Sequence, residues 1–231
     1  MRLGEIPLAE LRWAATFRLV PSRFPPISLF ERVAHAVDLD VVFAIEALTN
    51  PRLRQEAGEI SLVPPDERIS GPGSSAVMAA FTHLNPYGSR FTPGTYGVYY
   101  AAKALPTAVR EVSHHQAHFL AATREGPISI DMRCYRAAVK QPLHDIRGAQ
   151  DRLADVYARD DYAASQRFGA ALREAGSWGV VYDSVRDAGG ECVGIFRPRA
   201  LAHAVQGEHV ALQWNGDIIE SWYVKSKLHP L

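Results

Sequence analysis

The spacing of apolar residues predicts two helices in the middle of the chain. Between residues 107 and 122, Ala108, Val112 and Phe119 recur at intervals typical of one helix face. Pro106 suits the start of this helix, because the N–H group that a proline lacks has no partner there. A second helix is predicted over residues 161–175, where the following glycine is expected to end it.

The first third of the chain also has helical patterns. Ser28 and Glu31 have the spacing of a capping box before an apolar stretch, and another apolar run covers residues 41–48. A loop rich in glycine and serine then leads into residues 76–81, which we predict to be a short helix. These helices are expected to be packing elements.

The last part of the chain is predicted to be rich in strands. Residues 83–97 contain two prolines and three glycines and are expected to be a loop, and the Asn215-Gly216 dipeptide is a strong hairpin signal. The predicted strands cover residues 98–101, 128–134, 178–182, 191–196, 210–214 and 217–224. Helices early and mostly antiparallel strands late indicate an α+β fold.

Composition and charge exclude several classes of protein. The chain is 47% hydrophobic and 22% charged, which is typical of a globular domain. Its 25 basic and 25 acidic residues cancel, so there is no overall positive field to hold nucleic acid or a membrane surface. No segment has the pattern of a signal peptide or a membrane span, and we expect a cytoplasmic protein. Cys134 and Cys192 are expected to be buried thiols.

Common catalytic motifs are absent from the sequence. It has no phosphate-binding loop, dinucleotide-binding fingerprint, serine-hydrolase elbow or zinc-protease motif. His114 and His118 stand four residues apart on the predicted helix, a spacing that allows two imidazoles to share a metal ion. A solvated helix face explains this pair better, and we expect no metal site.

The segment GSRFTPGTYGVYYAAKALPTAVREV carries the main chemical signal. It is predicted to be a loop with Arg90, a strand with Tyr100 and a helix with Glu111, so these side chains can converge. Each also has a structural explanation. Arg90 can hold its loop through carbonyl groups, Tyr100 can be a core residue, and Glu111 can be an exposed carboxylate paired with a nearby arginine.

The order of several blocks resembles the RES-domain family, the toxin component of bacterial toxin–antitoxin pairs. The matching blocks are GSRF with Arg90, VYYA with Tyr100, AVRE with Glu111 and VVYDSVR with Ser184. FRLVPSR with Arg18, TNPRLRQEAG, GPGSSAVMAAF and GGECVGIFRP extend the resemblance over most of the chain. Several blocks in the right order are more specific than any single one.

The resemblance implies an ADP-ribosyltransferase-like fold, similar to the diphtheria-toxin group, and NAD+ as the substrate without a metal. Prolines and glycines are spread along the chain without an interdomain linker, which predicts a single RES domain over residues 1–231, and the helical patterns predict residues 1–80 as a helical elaboration packed on a catalytic core over residues 81–231.

The resemblance assigns roles to five residues. Glu111 and Ser184 are the implied catalytic residues, while Arg90, Tyr100 and Arg18 are the implied NAD+ contacts, with Arg23 as the alternative to Arg18. A carboxylate suits the positive charge that develops on ribose when nicotinamide leaves. Because side chains alternate along a strand, Tyr99 is expected in the core when Tyr100 faces the dinucleotide.

Three functions follow from the resemblance. The first is a toxin that cleaves NAD+ and transfers ADP-ribose to a protein acceptor. The alternative is a toxin that depletes NAD+ as a glycohydrolase or phosphorylase, and a catalytically inactive binding module is the third. The implied partner is an Xre-type antitoxin, to which DNA binding is expected to belong.

Overall fold

The computed structural model describes residues 3–23, 30, 31, 39, 41 and 58–225. The helices predicted over residues 28–48 lie outside the described residues, apart from isolated positions. The strands are β1 (Leu8–Ala9), β2 (Thr16–Pro21), β3 (Tyr99–Ala102), β4 (Ile128–Ala137), β5 (Leu143–Asp145), β6 (Gly179–Asp183), β7 (Glu191–Ile195), β8 (Val205–Trp214) and β9 (Ile219–Val224). The helices are α1 (Ser74–Thr82), α2 (Leu105–Thr123) and α3 (Ala163–Glu174).

These strands form one sheet in the order β1-β5-β6-β7-β3-β2-β4-β8-β9. All neighbouring strands are antiparallel except β5 and β6, which are parallel. The predicted α+β class with a mostly antiparallel sheet is therefore confirmed. The hairpin predicted at Asn215-Gly216 joins β8 to β9, where the Asn215 side chain accepts the N–H groups of Asp217 and Ile218.

Residues 8–21 are not helical, in contrast to the expectation for residues 1–80. Strand β2 lies in the interior of the sheet between β3 and β4, and it pairs with β4 from Thr16 to Pro21. Thr16 and Leu19 are buried, and the Thr16 hydroxyl donates to the carbonyl of Ala137 at 2.8 Å. Pairing with β4 over its whole length thus makes this segment part of the central sheet.

The sheet separates two hydrophobic cores. Helices α2 and α3 contribute Val109 and Leu172 to the core on one face. Helix α1 contributes Val77 and Phe81 to the core on the other face. Each fully buried side chain of this size stabilises the fold by about 1.5–3 kcal/mol. Glu111 and Tyr100 belong to the face that carries α2.

The helices begin and end close to their predicted limits. Pro106 lies in the first turn of α2, and Gly176 follows α3 in the left-handed region at a φ of 81°. Cys134 and Cys192 are free and buried, as expected. Of the helices formed by the described residues, none combines the length and apolar character needed to cross a membrane.

Candidate active site

Ser184 and Glu111 are joined by a hydrogen bond, although 73 residues separate them in the chain. The Ser184 hydroxyl donates to Oε1 of Glu111 at 2.5 Å. The backbone N–H groups of Arg186 and Asp187 donate to the same hydroxyl oxygen at 3.1 and 2.9 Å. Because these two donors fill the lone pairs of the oxygen, its single proton is directed at the carboxylate. The fold therefore brings the two predicted catalytic residues into contact.

Strand β7 forms a wall of this carboxylate site. The Cys192 sulfur lies 3.9 Å from Oε1 of Glu111. Burial, followed by the negative charge of Glu111, raises the pKa of the Cys192 thiol. A thiol with a raised pKa stays protonated at neutral pH and is a poor nucleophile. Cys192 therefore shapes the site without offering a second reactive group.

Tyr100 is bound through its hydroxyl to the loop that precedes β3. The hydroxyl oxygen lies 2.9 Å from the Ser89 hydroxyl and accepts the N–H group of Phe91 at 2.8 Å. Burial raises the pKa of Tyr100, so the phenol remains neutral. Its ring is nearly parallel to that of Phe91, with ring centroids 6.3 Å apart. Tyr99 is fully buried in the opposite core, which confirms the expected alternation.

The loop that carries Arg90 packs closely against α3. A Cβ atom at Gly169 would lie only 2.3 Å from the carbonyl oxygen of Phe91, so this close approach requires a glycine. The Gln166 side chain adds a hydrogen bond to the Ser89 carbonyl at 3.2 Å. Helix α3 therefore fixes the loop in place.

Arg90 is buried and bound to its own chain. Its Nη1 atom donates to the carbonyl oxygens of Val156 and Ala158 at 3.1 and 2.9 Å. Its guanidinium group also lies 4.9 Å from the centre of the Tyr162 ring. These contacts match the structural explanation weighed for Arg90, and the structure shows Arg90 holding the 156–162 segment.

Arg18 does not join Glu111 and Ser184. Its guanidinium group lies over the ring of Tyr99, 4.9 Å from the ring centre, and Tyr99 belongs to the opposite core. Its Nη1 atom donates to the Tyr100 carbonyl at 3.0 Å, so Arg18 links β2 to β3. Arg23 instead lies over the ring of Phe119 on α2, at 5.2 Å.

The histidines of α2 lie beside the site. The His114 ring contacts the rings of His115 and His118, with centroid distances of 5.4 and 4.7 Å. Burial and the charge of Arg186 lower the pKa of His114 to about 4. Within the described part of the chain, no group of three or more histidine, cysteine, aspartate or glutamate side chains could hold a metal ion.

The family model described as RES domain matches residues 65–215, which include Arg90, Tyr100, Glu111 and Ser184. The chain belongs to the RES-domain family. The uncharacterized protein y4oC of Sinorhizobium fredii is 30% identical to this RES-domain protein over 207 residues, covering 90% of this chain and 86% of its own. Among solved structures, the M. tuberculosis MbcT–MbcA toxin–antitoxin complex contains a chain with 19% identity and a TM-score of 0.40. The match covers 53% of this chain and 73% of that chain.

A group of residues around Arg186 lies beside the site of this RES domain and was not predicted from the sequence. The Arg186 guanidinium contacts His114 and Asp160, and its backbone contacts Ser184. Arg186 belongs to the same VVYDSVR block as Ser184, which is the signal that could have drawn attention to it. The 156–162 segment has no periodic pattern that would have placed it beside the site.

Proposed function

We propose that this RES-domain protein is a toxin of a toxin–antitoxin pair that cleaves the nicotinamide–ribose bond of NAD+. Membership of the RES-domain family supports this function. The observation that carries it is the hydrogen bond from the Ser184 hydroxyl to the carboxylate of Glu111. Glu111 lies on α2 and is half-buried. This pair has the residue types that glycosidic bond cleavage at a ribose requires.

Glu111 is proposed to stabilise the positive charge that develops on the ribose as nicotinamide leaves. A carboxylate held in place before the reaction is effective, because it does not have to reorient as the charge forms. Ser184 occupies Oε1, while Oε2 accepts no hydrogen bond from any residue that the structure describes. Oε2 is therefore the proposed acceptor for a ribose hydroxyl, and Ser184 fixes the orientation of the carboxylate.

Tyr100 and Arg90 are proposed as NAD+ contacts of different kinds. The Tyr100 ring lies on the same face of the sheet as Glu111 and can stack with a flat ring of the substrate. Arg90 can offer its remaining N–H groups to a phosphate, because only Nη1 donates to the two carbonyls. Arg18 is left out of this proposal because it lies on the other face, over Tyr99.

The proposed outcome is mono-ADP-ribosylation of a protein, and NAD+ degradation is the second candidate. The length of the N-terminal part, residues 1–80, supports a protein acceptor, because it exceeds what a minimal NAD+-cleaving core needs and can offer extra surface beside the site. Strand β2 lies within the central sheet, however, so residues 16–21 belong to the core and not to such an added surface. Residues 16–21 therefore supply no such surface, and this observation keeps NAD+ degradation, in which water or phosphate accepts the ADP-ribose, as the second candidate.

The proposed partner is an antitoxin of the Xre type that covers the NAD+ site. The neutral charge balance of this chain supports leaving DNA binding to that partner. The purified chain alone is therefore expected to show no salt-dependent affinity for duplex DNA. Tight binding to duplex DNA in an electrophoretic shift assay would contradict this assignment.

The proposed function is tested by incubating purified protein with NAD+ and measuring nicotinamide, ADP-ribose, phosphorylated ADP-ribose and labelled protein in the same samples. Wild type is expected to release nicotinamide, and Glu111→Gln to release at least about 1,000-fold less, because an amide cannot supply the negative charge. The second product distinguishes transfer from degradation. Folded wild type that releases no nicotinamide, with lysate added as an acceptor, would support the inactive binding module instead.

A further inference from the structure

The Arg186 side chain contacts two separate parts of the chain. Its Nη2 atom lies 2.9 Å from Nε2 of His114 on α2, 2.5 Å from the carbonyl oxygen of Arg159 and 3.0 Å from the carboxylate of Asp160. Only 8% of the Arg186 side chain is exposed. A guanidinium with so little contact with water depends on these protein acceptors.

The contact between Arg186 and His114 has a defined direction. An arginine can only donate hydrogen bonds, so Nε2 of His114 must accept and the ring must be neutral with its proton on Nδ1. The pKa of His114, lowered to about 4 by burial and by the charge of Arg186, agrees with a neutral ring. His114 therefore acts as an acceptor that anchors Arg186 to α2.

The two ends of Arg186 reach the two members of the catalytic pair. The backbone N–H group of Arg186 donates to the Ser184 hydroxyl at 3.1 Å. Its side chain binds His114, which lies three residues after Glu111 on the same helix. Residues three apart on a helix are neighbours on its surface, so this bond lies close to Glu111. Arg186 thus connects the turn that bears Ser184 to the helix that bears Glu111.

Arg186 also holds the segment that binds Arg90. Arg90 donates to the carbonyls of Val156 and Ala158, and Arg186 donates to the next carbonyl, that of Arg159. The 156–162 segment is therefore held between the two arginines. A shift of Arg186 would be transmitted both to the Ser184 turn and to this segment.

We infer that Arg186 is a positioning residue that sets the geometry of the Glu111–Ser184 pair without contacting the substrate. The inference rests on the proposed function, since it concerns the same reaction. It assigns to Arg186 a role in turnover and not in NAD+ affinity. A positioning error of about 1 Å lowers a rate by about 100-fold.

The test compares steady-state NAD+ cleavage by wild type, Arg186→Met and Arg186→Lys. We expect Arg186→Met to lower kcat by about 100-fold and to change the KM for NAD+ by less than about 3-fold. Arg186→Lys is expected to be nearly as slow, because the lysine side chain is one bond shorter and its ammonium does not reach the position of Nη2, where all three acceptors meet. Arg199→Met, at an exposed arginine, is the matched control and is expected to behave as wild type.

A second pair of variants breaks the same link from its other end. His114→Leu removes the acceptor and is expected to lower kcat as well, while His114→Gln keeps an acceptor and is expected to lower kcat less. These variants remain informative if Arg186→Met fails to fold.

Hydrogen exchange separates this inference from the proposed function. If wild type cleaves no NAD+, the proposed function fails, but Arg186→Met is still expected to speed amide exchange in residues 184–187 and 156–162. Unchanged exchange there would overturn the positioning role. A wild-type kcat in Arg186→Met, full rescue by lysine, or a large rise in KM with normal kcat would overturn it as well.

Discussion

The two halves of the candidate site differ in what their side chains bind. Glu111 and Ser184 bind each other at 2.5 Å and leave one carboxylate oxygen without a protein donor among the described residues. Arg90 and Tyr100 bind the backbone of their own chain, at Val156, Ala158 and Phe91. In the proposed function, the first half, Glu111 and Ser184, is already oriented before substrate binds, whereas the second half, Arg90 and Tyr100, uses its polar groups to hold loops. Substitutions in the first half are therefore expected to change turnover, and those in the second half to change binding and stability.

Ser184→Ala, in the first half, is expected to have a larger effect than any substitution in the second half. It removes the only hydroxyl donor to Oε1 of Glu111 within the described part of the chain. Loss of one fixed donor in an active site lowers kcat by about 100-fold or more. The measurement is kcat for nicotinamide release.

Ser61→Ala is the matched control for this variant. The Ser61 hydroxyl also donates to a glutamate, Glu59, at 2.6 Å, but on an exposed surface of a different region. Its kcat is expected to equal that of wild type. A Ser184→Ala protein with normal kcat would show that the first half is not arranged for chemistry.

Arg90→Lys is the corresponding change in the second half. Lysine keeps the charge but loses the planar group that reaches both carbonyls and stacks on Tyr162. We expect the KM for NAD+ to rise about 10-fold with kcat nearly unchanged, as for a lost binding contact. KM, kcat and the melting temperature are measured together.

Arg173→Lys is the control for a stacked arginine, since Arg173 lies 4.6 Å from the centre of the Tyr96 ring. Its KM is expected to remain at the wild-type value. If Arg90→Lys lowers the melting temperature but leaves KM unchanged, Arg90 has only the structural role.

Periodic segments of the chain were predictable, and long-range contacts were not. Helix α2 and the β8–β9 hairpin follow from local spacing, because their apolar faces and turn residues are encoded within one element. Strand β5 has only three residues, too few for a visible alternation. Strand β2 carries Arg18. This charged residue is accommodated inside the sheet because its guanidinium donates a hydrogen bond to a backbone carbonyl of β3. Such compensation is visible only in three dimensions.

The candidate site was predictable in its residue types but not in its geometry. Local sequence rules cannot bring Ser184 to Glu111, because β6, β7 and α2 must first pack together. The family resemblance supplied that pairing as an expectation. The same resemblance grouped Arg18 with Tyr100, whereas the alternation of side chains along β2 and β3 places them on opposite faces.

Tyr100→Phe tests how strongly the second half depends on its loop contacts. The variant keeps the ring beside Phe91 but removes the oxygen that accepts the Phe91 N–H group. A buried N–H group without an acceptor lowers the free energy of unfolding by about 1–2 kcal/mol. Chemical denaturation measures this change, with Tyr87→Phe as the control, because Tyr87 is 92% exposed. Equal stability of both variants would show that the loop does not need this hydrogen bond.

The smallest expected effect is a loss of stability in acid through His114, which lies next to the first half. Its pKa is lowered to about 4 in the folded protein, from the ordinary value of 6.5. Between these values the unfolded chain binds a proton that the folded protein does not, so stability falls as the pH drops from 6.5 to 4. Because the ring is 24% exposed, solvent screening reduces this loss to about 1 kcal/mol.

His114→Gln isolates this contribution from those of the other histidines. Glutamine keeps an acceptor for Arg186 but does not titrate in this range. The free energy of unfolding, measured by denaturation at pH 7, 5.5 and 4, is expected to fall less steeply for His114→Gln than for wild type. His203→Gln, at an exposed histidine, is expected to follow wild type. If the free energy of unfolding changes with pH in the same way for wild type and His114→Gln, Arg186 does not hold His114 neutral. That result would also weaken the link between Arg186 and α2 on which the positioning role depends.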